Sequence, residues 1–75
     1  MLQRPLEREK MIRVRNRQSG EVKEVPGPKT VHELLKAMGL VEGAVLVLRD
    51  GLLLTRDVRI ADGESVEIVP VISGG

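Results

Sequence analysis

The stretch "TVHELLKAMGL", residues 30–40, limits the fold more than any other. Thr30 and Glu33 have the spacing of a capping box, in which the hydroxyl accepts from the Glu33 amide and the carboxylate reaches back. Val31, Leu34, Leu35 and Met38 then recur on one stripe. Gly39 stands where a left-handed C-cap belongs. The pattern predicts a single helix of about ten residues, too short to persist alone, so it must lie on a sheet.

The rest of the chain supplies that sheet. "MIRVRNR", 11–17, alternates, with Ile12 and Val14 on one side and Arg13, Arg15 and Arg17 on the other. "QSG" at 18–20 is turn chemistry, and "EVKEV", 21–25, is a second strand, stopped by "PGP" at 26–28. Val22 and Val25 differ in parity, which allows a bulge or an early end. "AVLVL", 44–48, is apolar on both faces and is expected to be covered on both, by the helix and by a loop or partner. Asp50-Gly51 is a hairpin turn before "LLLT", 52–55. "RDVRI", 56–60, reads as loop or short turn, with Val58 and Ile60 tucked under. After a second tight turn at Asp62-Gly63, "SVEIVPVI", 65–72, is the last strand. Pro70 lacks an N–H, so there the strand is at an edge or leaving the sheet.

Strand, strand, helix, strand, short strand, strand describes a two-layer α+β domain. Its expected form is a mixed four- to five-stranded sheet with one main helix packed on one face, the first and last strands being central parallel neighbours. That is the β-grasp, or ubiquitin-like, arrangement. Leu35 and Met38 are expected under the sheet, facing Val14, Val47 and Ile68.

A chain of 75 residues holds one domain and is near the lower limit for unaided folding. With no Cys, disulfides and thiolate metal sites are excluded, and the lone His32 cannot hold a metal by itself. The core must therefore be aliphatic, because aromatic residues are 0%. Twelve basic and eleven acidic side chains leave a net charge of +1, which speaks against nucleic acid or membrane as a direct partner. Residues 1–10 carry charges but no apolar h-region, so they read as a flexible arm and not as a secretory signal. A cytoplasmic protein, monomeric on its own, is the expectation. Its domain would run over 11–72 and its flexible tail over 73–75.

The tail is "SGG", Ser73-Gly74-Gly75. A terminal carboxylate is ionised at neutral pH and is a weak nucleophile. To react with a nucleotide it must thread a narrow channel, and glycine lets the backbone approach closely. A side chain at position 75 would crowd the carbonyl under attack.

The stretch "LRDGLLLTRDVRIADGESVEIVPVISGG", 48–75, resembles the ThiS/MoaD sulfur carriers and the related ubiquitin-like modifiers. The shared features are two Asx-Gly turns around a short strand, then "VEIVPV" and a closing Gly-Gly. The resemblance implies that Gly75 is adenylated with ATP by an adenylyltransferase of the ubiquitin-activating type. A sulfurtransferase or cysteine desulfurase would then convert it to a thiocarboxylate, with Ser73 and Gly74 threading the partner's active site. The chain itself would bind no cofactor, and a sulfur-accepting synthase or tRNA thiolase would take the sulfur. Thiamine thiazole synthesis and tRNA thiolation fit better than molybdopterin synthesis, whose carriers often show Phe-Pro-Pro where this chain has Val69-Pro70-Val71.

Two alternatives share part of this reading. One is a modifier joined to lysines through Gly75; the other is a β-grasp interaction or RNA-binding module with an idle tail. Leu52, Leu54, Val69, Val71 and Ile72 are the candidate partner surface. The row Arg13, Arg15, Arg17 is expected to pair with acids such as Glu21, Glu24 or Glu67. His32, off the apolar stripe, is expected to be solvated. No catalytic triad, paired-carboxylate cleft, P-loop or dinucleotide fingerprint occurs, so the chain reads as a protein cosubstrate and not an enzyme.

Overall fold

The structure, a computed structural model, describes residues 10–71. The expected arm at 1–10, apart from Lys10, and the tail at 73–75 lie outside them.

Helix α1, Val31–Ala37, forms where the cap signals stand. Thr30 Oγ1 accepts from the Glu33 amide at 3.1 Å, and Glu33 Oε1 accepts from the Thr30 amide at 2.9 Å. At the other end Gly39 has φ +74°, a value that favours glycine. Its amide donates to Lys36 O at 3.1 Å, and the Leu40 amide donates to Leu35 O at 2.9 Å. These two bonds make a Schellman motif, and the half-buried Leu40 packs against the core.

The strands are β1 (Met11–Asn16), β2 (Val22–Pro26), β3 (Lys29–Thr30), β4 (Val45–Arg49), β5 (Leu52–Leu54), β6 (Arg59–Ile60) and β7 (Ser65–Pro70). Five of them form a mixed sheet in the order β2-β1-β7-β4-β5. β1 and β7 run parallel at its centre, and the other pairs are antiparallel. This is the β-grasp arrangement.

α1 covers one face of this sheet. Val31, Leu34 and Leu35 meet Ile12, Val14, Val25, Val47, Val66 and Ile68 in one cluster, all at most 9% exposed. Burying one Leu or Ile side chain fully contributes roughly 1.5–3 kcal/mol, so this cluster supplies the main stabilisation. Met38, at the C-cap, is only half-buried against it.

Three expectations change. The segment 56–60 is not all loop: Arg59 and Ile60 pair with Thr30 and Lys29 in a two-residue ladder. Ile60 is fully buried there, and so short a ladder has no alternation to read. Second, β2 has no bulge. Its pairing with β1 is regular, Ile12 opposite Val25 and Arg15 opposite Val22, and Val22 simply faces outward. Third, no loop among the described residues covers the outer face of β4, where Leu46 is 42% exposed.

Candidate functional site

β7 carries the chain toward its terminal glycines, so its last residues define the site. The Arg13 amide donates to Glu64 O and the Arg17 amide to Ile68 O, both at 3.0 Å. Even-numbered residues of β7 therefore face β1. Pro70 shares that parity, and its hydrogen-less nitrogen points past the last β1 pair, Asn16 with Ile68. The next amide, Val71, points the other way and donates to Ala44 O at 2.8 Å. A proline thus sits in an interior strand without costing a ladder bond. The strand is leaving β1 at this point and is held by β4 alone. Ile72, Ser73, Gly74 and Gly75 lie outside the described residues.

The sheet face opposite α1 surrounds this exit. Register places Leu46 opposite Val69, and Leu48 opposite both Glu67 and Leu53. These residues share one face, and Val71 continues the parity of Val69. Leu46, Leu53 and Val71 are 42%, 58% and 43% exposed, with Leu48 and Val69 half-buried. This makes an apolar patch across β5, β4 and the end of β7.

Of the candidate partner surface, the structure groups Val69 and Val71 but not Leu52 and Leu54. Leu54 pairs with Val47 on the core face and packs against the cluster. Leu52 has the same parity, projects past the covered region and is 70% exposed. Leu53 takes their place beside Leu48. Leu46, Leu48 and Leu53 were not singled out from the sequence. The signal for them was the doubly apolar "AVLVL" combined with the register that a two-residue turn imposes.

The same face is charged on its β1–β2 side. Arg13 lies 3.8 Å from Glu24, and Arg15 lies 3.8 Å from Glu67, both across strand pairs. Such long, exposed contacts contribute a few tenths of a kcal/mol at most. They pair two arginines of the row, Arg13 and Arg15, as expected from the sequence. Arg13 and Arg15 line a shallow depression of about 660 Å³ together with Asp50 and Glu67, so its rim carries both signs.

His32 is not simply solvated. Its Nδ1 contacts Glu42 Oε2, and Arg56 approaches both, at 3.2 Å from the imidazole and 3.6 Å from the carboxylate. The His32 amide donates to Arg56 O at 3.1 Å and the Val31 amide to Val58 O at 2.9 Å. With the Glu33 amide on Thr30, the first helical amides are already bonded, so α1 offers no anion cradle. The Thr30 amide also holds the Glu33 carboxyl below its ordinary range.

Among the described residues no group of three or more His, Cys, Asp or Glu could hold a metal ion. Nor is any helix there long and apolar enough to cross a membrane. None of the curated proteins matches this chain. The model of the ThiS family matches residues 13–75, from the first strand through the terminal glycines.

Proposed function

The chain belongs to the ThiS family, whose members are small sulfur carriers and not enzymes, and we propose that it carries sulfur as a thiocarboxylate on Gly75. The observation that carries this reading is the reach of the family match through Ser73, Gly74 and Gly75. An adenylyltransferase of the ubiquitin-activating type binds the ATP. The Gly75 carboxylate attacks the α-phosphate, pyrophosphate leaves, and an acyl-adenylate forms. A persulfide sulfur, brought by a sulfurtransferase or cysteine desulfurase, displaces AMP. Reductive cleavage of the resulting acyl disulfide by a thiol leaves the thiocarboxylate.

The tail's chemistry demands a thin stalk and a docking surface beside its root. Ser73 and Gly74 are the stalk. The apolar patch of Leu46, Leu53, Val69 and Val71 is the surface on which the adenylyltransferase sits. The sulfur then passes, in the cytoplasm, to a thiazole synthase or tRNA thiolase. The Val69-Pro70-Val71 sequence disfavours molybdopterin as the destination.

The test uses three variants: deletion of Gly75, addition of one residue after it, and Gly75→Ala. Deletion withdraws the carboxylate by roughly 3.5 Å, enough to miss the α-phosphate. Extension buries it in a peptide bond. Both variants should keep the wild-type melting temperature and lose ATP–pyrophosphate exchange with the adenylyltransferase. Gly75→Ala should be impaired but active. Intact mass should show one oxygen replaced by sulfur in the wild type, in a smaller fraction of Gly75→Ala, and in neither of the other two variants; ladders of heavier adducts would mark a modifier instead. Normal sulfur transfer by the Gly75 deletion would refute the carrier.

A further inference from the structure

β5 is an edge strand made only of Leu52, Leu53 and Leu54. Leu52 and Leu53 are 70% and 58% exposed. Exposed edges are ordinarily blunted by lysine, proline or a bulge, because their unpaired backbone groups invite another strand. This edge has none of these.

The backbone shows which groups are free. Asp50 and Gly51 have φ of 55° and 80°, the positive values of a two-residue type I′ turn. The pair that closes such a turn, here Arg49 with Leu52, is hydrogen-bonded. Alternation then makes Leu53 with Leu48 a non-hydrogen-bonded pair, so the Leu53 amide and carbonyl point away from β4. Gly51 and Thr55 have the same parity.

The charges flanking the strand are arranged symmetrically about Leu53. Asp50 stands three residues before it and Arg56 three after. Both are exposed, and Arg56 is held only by surface contacts, with Glu42 at 3.6 Å and His32 at 3.2 Å. Antiparallel pairing of two copies with Leu53 on the two-fold axis would set Asp50 of each opposite Arg56 of the other. Parallel pairing would set like charges side by side. In the antiparallel register the two Leu53 residues exchange both backbone bonds, because their free groups face each other.

We propose that β5 docks a second copy of this chain, antiparallel and centred on Leu53, joining the two sheets into one. This replaces the monomer expected from the sequence and does not depend on the sulfur-carrier reading. The contact is isologous. It brings the two outer-face leucine patches together at Leu53. β4 separates β5 from β7, so the root of each tail stays open. A three-residue strand buries well under the roughly 1,200 Å² of a stable interface, so the dimer is weak and concentration-dependent.

Sedimentation velocity of the full chain from about 10 μM to about 1 mM should show a monomer giving way to a dimer, less so at high salt. Leu53→Lys should remain monomeric throughout with an unchanged melting temperature. Asp50→Asn, which keeps a residue tolerant of positive φ, should weaken the dimer several-fold. Leu46→Lys, on the same face but away from the edge, should dimerise as the wild type does. In the wild-type dimer, isotope-filtered NMR should detect the Leu52 Hα of one copy against the Leu54 Hα of the other, the non-hydrogen-bonded pair that this register creates. A chain that stays monomeric at about 1 mM would overturn the proposal. So would a dimer indifferent to Leu53→Lys, a dimer lost through Leu46→Lys alone, or the absence of the Leu52–Leu54 contact.

Discussion

On the inner face of the sheet Ile12, Val14, Val47, Val66 and Ile68 are each at most 4% exposed; on the outer face Leu46, Leu53 and Val71 keep between 42% and 58%. Both faces hold aliphatic side chains of similar size. What separates them is α1, the one α-helix among the described residues, which covers one side only. In a chain this small the fold is made on that side. The leucines and valines outside therefore do not stabilise the domain by burial within it. Conversely, the charged outer half over β1 and β2 pairs Arg13 with Glu24 and Arg15 with Glu67 within the chain.

The contrast breaks most visibly at Leu35, 2% exposed beneath the sheet. Leu35→Ala should cost about 2–5 kcal/mol in urea or thermal unfolding, enough to unfold a domain of this size. The next effect is at Gly27. A Cβ there would lie 2.8 Å from Ile12 Cγ1 and 3.2 Å from the Asp62 Cα, so the inner core must shift. Gly27→Ala should lower stability by about 1–3 kcal/mol in denaturant titration. Thr30→Ala removes the helix cap and should cost about 1 kcal/mol in the same assay.

The cap also has a pH signature. The folded state holds the Glu33 carboxyl below its unfolded value of 4.5. Its contribution is therefore present above that value and is lost as pH falls through the lowered folded pKa. Glu33→Gln should flatten the acid limb of the stability profile slightly. Smallest of all, Leu46→Ser on the outer face should leave stability within about 0.5 kcal/mol. The same variant should nonetheless reduce ATP–pyrophosphate exchange with the adenylyltransferase. A large loss of stability from Leu46→Ser would mean that the two faces do not differ as described.

What was legible in the sequence follows the range of the interaction. The capping box and Gly39 C-cap act over three to four residues, and both stand where their spacing put them. The inward parity of Val14 and Ile68 was likewise readable, because their strands alternate apolar with polar residues. The outer patch was not, because assigning Leu52, Leu53 and Leu54 to faces requires the β4–β5 register. A one-residue difference in register exchanges every side chain between faces. The Asp50-Gly51 turn held that information, since two turn residues force Arg49 opposite Leu52. The β3–β6 ladder was hidden for a different reason: it joins residues about thirty positions apart, and only tertiary folding brings them together.

The parallel contact of β1 with β7 has a mechanical consequence. The described chain enters the sheet at the start of β1, Met11, and leaves it at the end of β7, Pro70. Those ends lie at opposite extremes of two adjacent strands that point the same way. Tension applied between the two termini would slide one strand along the other and load the intervening hydrogen bonds together. An antiparallel pair pulled from neighbouring ends would instead open one bond at a time. Force applied between Met11 and Pro70 thus meets a shear clamp and not a zipper.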